Sequence, residues 1–165
     1  MSELIDFYRD GFPNSSGDTL QSIIEWDDDS WESCHHFIQW VFPLDEPSQY
    51  NPNAPLLTEE DIEEFKNSEV IKSNVGKILN RAKWFLGFYD DVRPHWFEVG
   101  DHNMLRITRI LRFLNLIGNS FEMMKVYSWL TRLDSAYPYI VSDETIDYWM
   151  KAVNGPNFNV ELFVI

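Results

Sequence analysis

Asp101-His102-Asn103-Met104-Leu105-Arg106-Ile107-Thr108-Arg109-Ile110-Leu111-Arg112-Phe113-Leu114-Asn115-Leu116-Ile117-Gly118 is the stretch on which the fold is decided. Met104, Ile107, Ile110, Leu111, Leu114 and Ile117 recur at steps of three and four, which puts them on one face of an α-helix. Asp101 ahead of the run is a suitable cap, and Gly118 behind it suits the left-handed residue that closes a helix. The spacing therefore predicts a helix over 103–117. His102, Arg106, Arg109 and Phe113 fall roughly opposite the apolar stripe.

Working outward, the same period returns. Ser120 opens a predicted helix to about 133 that carries Met123, Met124, Tyr127, Trp129 and Leu130. Ser142 caps another to about 153, with Ile146, Trp149, Met150 and Val153, closed by Gly155-Pro156. The last residues, 158–165, alternate loosely and read as a short extended strand. Towards the N-terminus, Ser68 caps a run carrying Val70, Ile71, Val75, Ile78, Leu79, Ala82 and Phe85-Leu86 to about Tyr89. Before it, Thr58-Glu59-Glu60-Asp61 has the form of a capping box with Asp in the Glu position, opening a short helix that buries Ile62 and Phe65. Four prolines mark 43–57 as an ordered surface loop. Residues 3–10 and 19–26 make two further short helices, the first with Leu4, Ile5, Phe7 and Tyr8 inward and the second with Leu20, Ile23 and Ile24 inward.

Between these lies Trp26-Asp27-Asp28-Asp29-Ser30-Trp31-Glu32-Ser33-Cys34-His35-His36-Phe37-Ile38-Gln39-Trp40-Val41-Phe42-Pro43. The three aspartates read as a turn and Ser30 as the cap of a helix over 31–42 that Pro43 stops. Trp31, Cys34, Ile38, Val41 and Phe42 form its core stripe, which makes Cys34 an inert buried thiol. Glu32, His35 and Gln39 lie beside the stripe. Phe37 and Trp40 point elsewhere, into the core or along the wall of a groove. The sum is an all-α, single-domain bundle of about six to eight helices over residues 1–165, with no internal repeat.

Composition narrows the function classes. A net charge of −14 argues against nucleic-acid binding, because phosphate contacts need a basic face, and it disfavours an anionic lipid surface. No apolar run approaches the roughly 18 residues of a membrane span, and Met1-Ser2-Glu3-Leu4 lacks the build of a signal peptide. One cysteine forbids an intrachain disulfide or a cysteine-based zinc knuckle and points to a reducing, cytoplasmic setting. No phosphate-cradling glycine loop and no serine triad order is present.

Three segments resemble the N-terminal conserved domain of the opioid growth factor receptor family. They are Ile24-Glu25-Trp26-Asp27 with Glu32 to Leu44 and Glu46-Pro47; Phe85-Leu86-Gly87-Phe88-Tyr89; and His102 to Leu111. The resemblance covers about 24–118 and rests chiefly on Ile38-Gln39-Trp40-Val41-Phe42-Pro43 paired with the second, His-Asn-x-Leu-Arg-Ile-Thr-Arg, string. It implies a receptor-like role: animal members are described as perinuclear receptors for an enkephalin peptide, with long repeat-rich extensions. A chain made of the domain alone is similar to the compact microbial relatives.

The residues themselves leave two roles open. In the first, the 31–42 and 103–117 helices form a groove for a peptide or protein, contacted by Glu32, His35, Gln39, Trp40, His102, Asn103, Arg106 and Arg109. In the second, His35 or His102 is an acid/base and Arg106 and Arg109 clamp an oxyanion in a hydrolase or phosphate-transfer enzyme. A plainer reading pairs the arginines with Glu32, Asp27 or Asp45. Glu32-x-x-His35 is half of a di-iron pattern whose second half is missing, so no metal and no cofactor is expected, although zinc on His35, His102 and a carboxylate fits if the helices face each other. The binding module is the preferred reading.

Overall fold

The structure is a computed structural model, and it describes residues 2–154. Every described element is helical, so the chain is all-α. The backbone divides into two compact units, one running to Phe85 and one starting at Leu86.

In the first unit, α1 (Glu3–Ile5) passes directly into a π-helical turn over Asp6–Asp10. Leu4, Ile5, Phe7 and Tyr8 are all buried, as their spacing predicts. The wider π turn lets the adjacent rings of Phe7 and Tyr8 enter the core together, and Gly11 closes it at a φ of 74°. Helix α2 (Leu20–Glu25) starts from a capping box in which the Thr19 and Ser22 side chains serve each other's backbone N–H. Then follow α3 (Asp28–Ser33), α4 (Ile38–Val41), α5 (Glu59–Asn67) and α6 (Glu69–Phe85). The box at Thr58 and Asp61 is present as read, with N–H···O distances of 3.0 and 3.1 Å. Asp61 is itself buried and also accepts from the Ser2 hydroxyl. Helix α6 packs against the π turn, α5 and α2 and buries Ile71, Val75, Ile78, Leu79, Ala82 and Phe85. It stops at Phe85 rather than Tyr89, because Gly87 turns the backbone to a φ of 76°. Val70, expected inside, is exposed.

The second unit is built on α7 (Asn103–Leu116), which packs against both α8 (Ser120–Ala136) and α9 (Asp143–Val153). All six residues of the expected stripe are buried. Phe113 and Arg106, read as lying opposite, are buried as well, so α7 has no wholly solvated side. Gly118 at a φ of 73° ends it, with Asn119 N–H reaching Leu114 O at 2.8 Å and Gly118 N–H reaching Asn115 O at 3.1 Å, a Schellman closure. The α8 cap is Asn119, one residue before Ser120, and Ser142 caps α9 as read. Asn115 is buried and donates to the Ala152 and Asn154 carbonyls at 3.0 and 3.2 Å, which fastens the end of α9 onto α7. Trp96 donates to Leu86 O at 2.8 Å and lies 6.0 Å from Trp129, giving this unit an aromatic floor shared with Phe88.

The eight helices of the sequence reading are thus present among the described residues, with the third divided in two. Gly155-Pro156 and the extended tail expected over 158–165 lie outside the described residues.

Candidate functional site

The division of the third helix shapes everything around it. Asp27, not Ser30, is the cap of α3: its carboxylate accepts from Ser30 N–H at 2.9 Å. Asp28 and Asp29, expected in a turn, form the helix's first turn, where negative charge meets the unpaired N–H groups favourably. Hydrogen bonds from Ser30 hold the Asp27 carboxyl below the usual carboxylate range, and the Arg81 charge adds to this. The helix then ends at Cys34, whose backbone is extended (φ −88°, ψ 130°), and resumes only at Ile38.

Packing explains the break. In an unbroken helix Trp31 and Phe37 would be about 120° apart around the axis and roughly 9 Å apart along it, unable to touch. With the chain bent between them, their rings meet edge to face at 4.9 Å, and Trp26 joins at 5.2 Å. Phe37, Ile38, Trp40, Val41 and Phe42 are then all buried, with Trp40 5.5 Å from Phe7. An apolar segment with hydrophobic residues on several sides buries more area bent than straight. Arg81, on α6, locks the corner: it donates to Trp26 O at 2.9 Å, pairs with Asp28 at 2.7 Å and lies 5.0 Å above the Trp31 ring. Trp31 donates its indole N–H to Ile23 O at 2.9 Å.

The candidate residues fall into two groups by unit. In the first, Glu32 is half-buried on α3 and His35 is exposed in the bend. Gln39 and Trp40 are only 4 % exposed, Gln39 donating to the Ser48 hydroxyl at 3.5 Å while its Oε1 has no hydrogen-bond partner among the described residues. In the second, His102 and Arg109 are half-buried, whereas Asn103 and Arg106 are buried at 0 % and 7 % exposure. Arg106 Nη1 lies 3.4 Å from Asn103 Oδ1. Asp101, expected as the cap of α7, stands one residue too early: the cap position falls on His102, and Asp101 accepts from Asn103 N–H at 2.8 Å from just outside the helix. Asn103 is the first residue of α7 and is fully buried there.

One cluster was not read from the sequence. Cys34, expected on a core stripe, is half-buried at the end of α3 because there is no continuous helix to carry that stripe. Its Sγ lies 3.3 Å from Nδ1 and 3.6 Å from Nε2 of His36, and His36 Nε2 faces Asp18 Oδ2 at 3.6 Å. Residues i and i+2 share a side only in extended backbone and point nearly apart in a helix. A Cys-x-His pair is therefore invisible in a sequence read as one helix over 31–42. The sequence signal that could have revealed it is the pair of adjacent histidines, poor company for a buried stripe.

Comparison with known proteins gives a consistent picture. The family described as "Opioid growth factor receptor (OGFr) conserved region" matches residues 5–163. The chain is similar to the opioid growth factor receptor of Rattus norvegicus, 31 % identical over 172 residues, covering 90 % of this chain and 29 % of that protein. The Homo sapiens receptor is 32 % identical over 175 residues, covering 90 % of this chain and 25 % of its own length. The opioid growth factor receptor-like protein 1 of Mus musculus is 31 % identical over 132 residues, covering 68 % and 28 % respectively. The chain therefore spans less than a third of the length of these relatives. No solved structure matches.

Proposed function

Because the chain belongs to the opioid growth factor receptor family, through a conserved region that takes in residues 5–163, we propose that it is a binding module for a peptide or protein ligand. The observation that carries this reading is that relatives matching nine-tenths of the chain are named as receptors. On this proposal the candidate residues take roles that follow their burial. Glu32 and His35 in the first unit, and His102 and Arg109 in the second, keep solvent-facing surface and are the contact residues. Gln39, Trp40, Asn103 and Arg106 are buried and hold those contacts in place.

A cytoplasmic location belongs to the same proposal. It is supported by the single cysteine and by the absence, among the described residues, of any helix long and apolar enough to cross a membrane.

The test is a thermal-shift titration of the purified chain with short peptides, an enkephalin first among them. A ligand at about a hundred times its Kd stabilises the folded state by ~2.7 kcal/mol. In a chain of this size that is a rise in Tm of roughly 5–10 °C. The expected result is a saturable rise with one peptide class, reduced in His35→Ala or Arg109→Ala proteins that melt normally without ligand. A flat response to every peptide, or a rise that both variants retain in full, overturns the reading.

A further inference from the structure

We propose that residues 45–56 are a lid, and that lifting it lets the Gln39 carboxamide pair with the backbone N–H and C=O of one residue of an extended peptide. This rests on the binding reading and names what the first unit would recognise: a stretch of peptide backbone.

Gln39 is the misfit of α4. Its neighbours Phe37, Ile38, Trp40 and Val41 are apolar and buried, and it is itself only 4 % exposed. A buried primary amide ordinarily has its donors and acceptor matched, because removing them from water is costly. Here Nε2 reaches the Ser48 hydroxyl at 3.5 Å, the outer limit of a hydrogen bond, and Oε1 has no partner among the described residues. Exchanging the two ends of the amide leaves the same mismatch, one long bond and one unmatched atom. Ser48 is a shared partner too, since its hydroxyl oxygen also accepts from Tyr50 N–H at 3.2 Å.

The loop that supplies Ser48 can come away without unravelling. It is pinched at the neck, where Leu57 N–H reaches Leu44 O at 2.8 Å, the closed-ended form of an Ω-loop. Further out, its bonds to the body are longer: Ser48 to Gln39, and Asn51 Nδ2 donating to His36 O at 3.3 Å. Tyr50 and Leu56 are 79 % and 43 % exposed, so these large apolar groups do not anchor the loop in the core. Opening it gives the carboxamide room for better hydrogen bonds than it has when closed. His35, one of the contact residues, precedes the His36 carbonyl that holds Asn51, so lid and contact surface adjoin.

The chemistry of the occupant follows from the group. A carboxamide sets an N–H donor and a C=O acceptor side by side. In an extended chain the N–H and C=O of one residue point the same way, and paired antiparallel strands exchange both bonds between two such residues. Gln39 matches that pair: Nε2 donates to the ligand's C=O, and Oε1 accepts from the ligand's N–H. The buried apolar residues on either side of it keep the local dielectric low, which strengthens both bonds. A helical peptide spends these groups on its own turns, so an extended segment is selected. Gln39, buried while the loop is closed, thus joins the contact residues when it opens.

The probes are an enkephalin and its analogues in which each backbone N–H in turn becomes N–CH3, titrated into the intact chain by calorimetry. One analogue should bind roughly tenfold more weakly than its parent, the cost of a lost hydrogen bond. Gln39→Met keeps the length and removes both polar ends. It should melt at or above the wild-type temperature, bind the parent roughly tenfold more weakly, and no longer distinguish that analogue. Ser48→Ala loosens the lid and should tighten binding several-fold. A Gln39→Met protein that binds like the wild type, or that still distinguishes the analogue, overturns this inference and leaves the binding reading standing. So does one that melts well below the wild type, since its amide is then structural. Failure of the wild type to bind any peptide strikes the binding reading first, and this inference with it.

Discussion

Tyr8 shows how much one side chain carries. Its phenol donates to the Val41 carbonyl, its ring lies 4.8 Å from Phe65, and its own carbonyl accepts from Asn74 Nδ2 at 2.6 Å. Tyr8→Phe keeps the ring and leaves Val41 O without that donor, so unfolding by denaturant should show a loss of about 1–2 kcal/mol. Burial also pushes the phenol's pKa well above its ordinary value of 10.0. The unfolded chain then releases this proton above about pH 10 while the folded chain retains it, and stability falls as pH rises further. Below pH 10 this contribution is fully present. The alkaline slope should be shallower in Tyr8→Phe, as read by melting temperature between pH 9 and 11, which are about one unit either side of the ordinary value. At this scale the sequence was informative about burial and poor at partners. Tyr8, Ile107 and Leu111 could be placed inside from spacing alone. Arg81 could not be singled out, because nothing local marks a helix arginine that closes over an indole supplied by a residue fifty positions earlier.

At the level of the element, the start of α5 offers the sharpest prediction. Asp61 accepts from Thr58 N–H and from the Ser2 hydroxyl while being buried itself. Asp61→Ala removes one side of the capping box and strands two donors, so about 1–3 kcal/mol of stability should be lost, measured by urea unfolding. Amide exchange should quicken in the first turn of α5 before it does in α6. Caps of this kind were legible, as were Gly118 and Ser142, because they depend on residues within a few positions of one another. The course of 31–42 was not legible. Its periodicity is compatible with a helix, and the bend is decided by Trp26, Phe7 and Arg81, which compete for its rings from other elements. The same bend placed Cys34 beside His36, so the error in the helix and the missed cluster have one cause.

On the scale of the whole molecule, charge is divided unevenly. Seventeen acidic and six basic residues precede Leu86, against ten acidic and seven basic from there on. Self-repulsion in a chain of net charge −14 should make folding salt-dependent. Raising ionic strength from about 10 mM to about 150 mM shortens the Debye length from ~30 to ~8 Å and should raise the Tm by a few degrees, as calorimetry would read. A fall over that range would mean that attractive pairs such as Arg81–Asp28 outweigh the repulsion. The all-α class and the family were both readable at this scale, since period and motif survive without knowledge of contacts. The π turn at Asp6–Asp10 has a bearing on chain length itself. A deletion of one residue there would let ordinary helical pairing resume, but would swing Ser2, Leu4 and Ile5 about 100° around the axis relative to Tyr8. Leu4 or Tyr8 would have to leave its seat, so this turn should tolerate a change of side chain far better than a change of count.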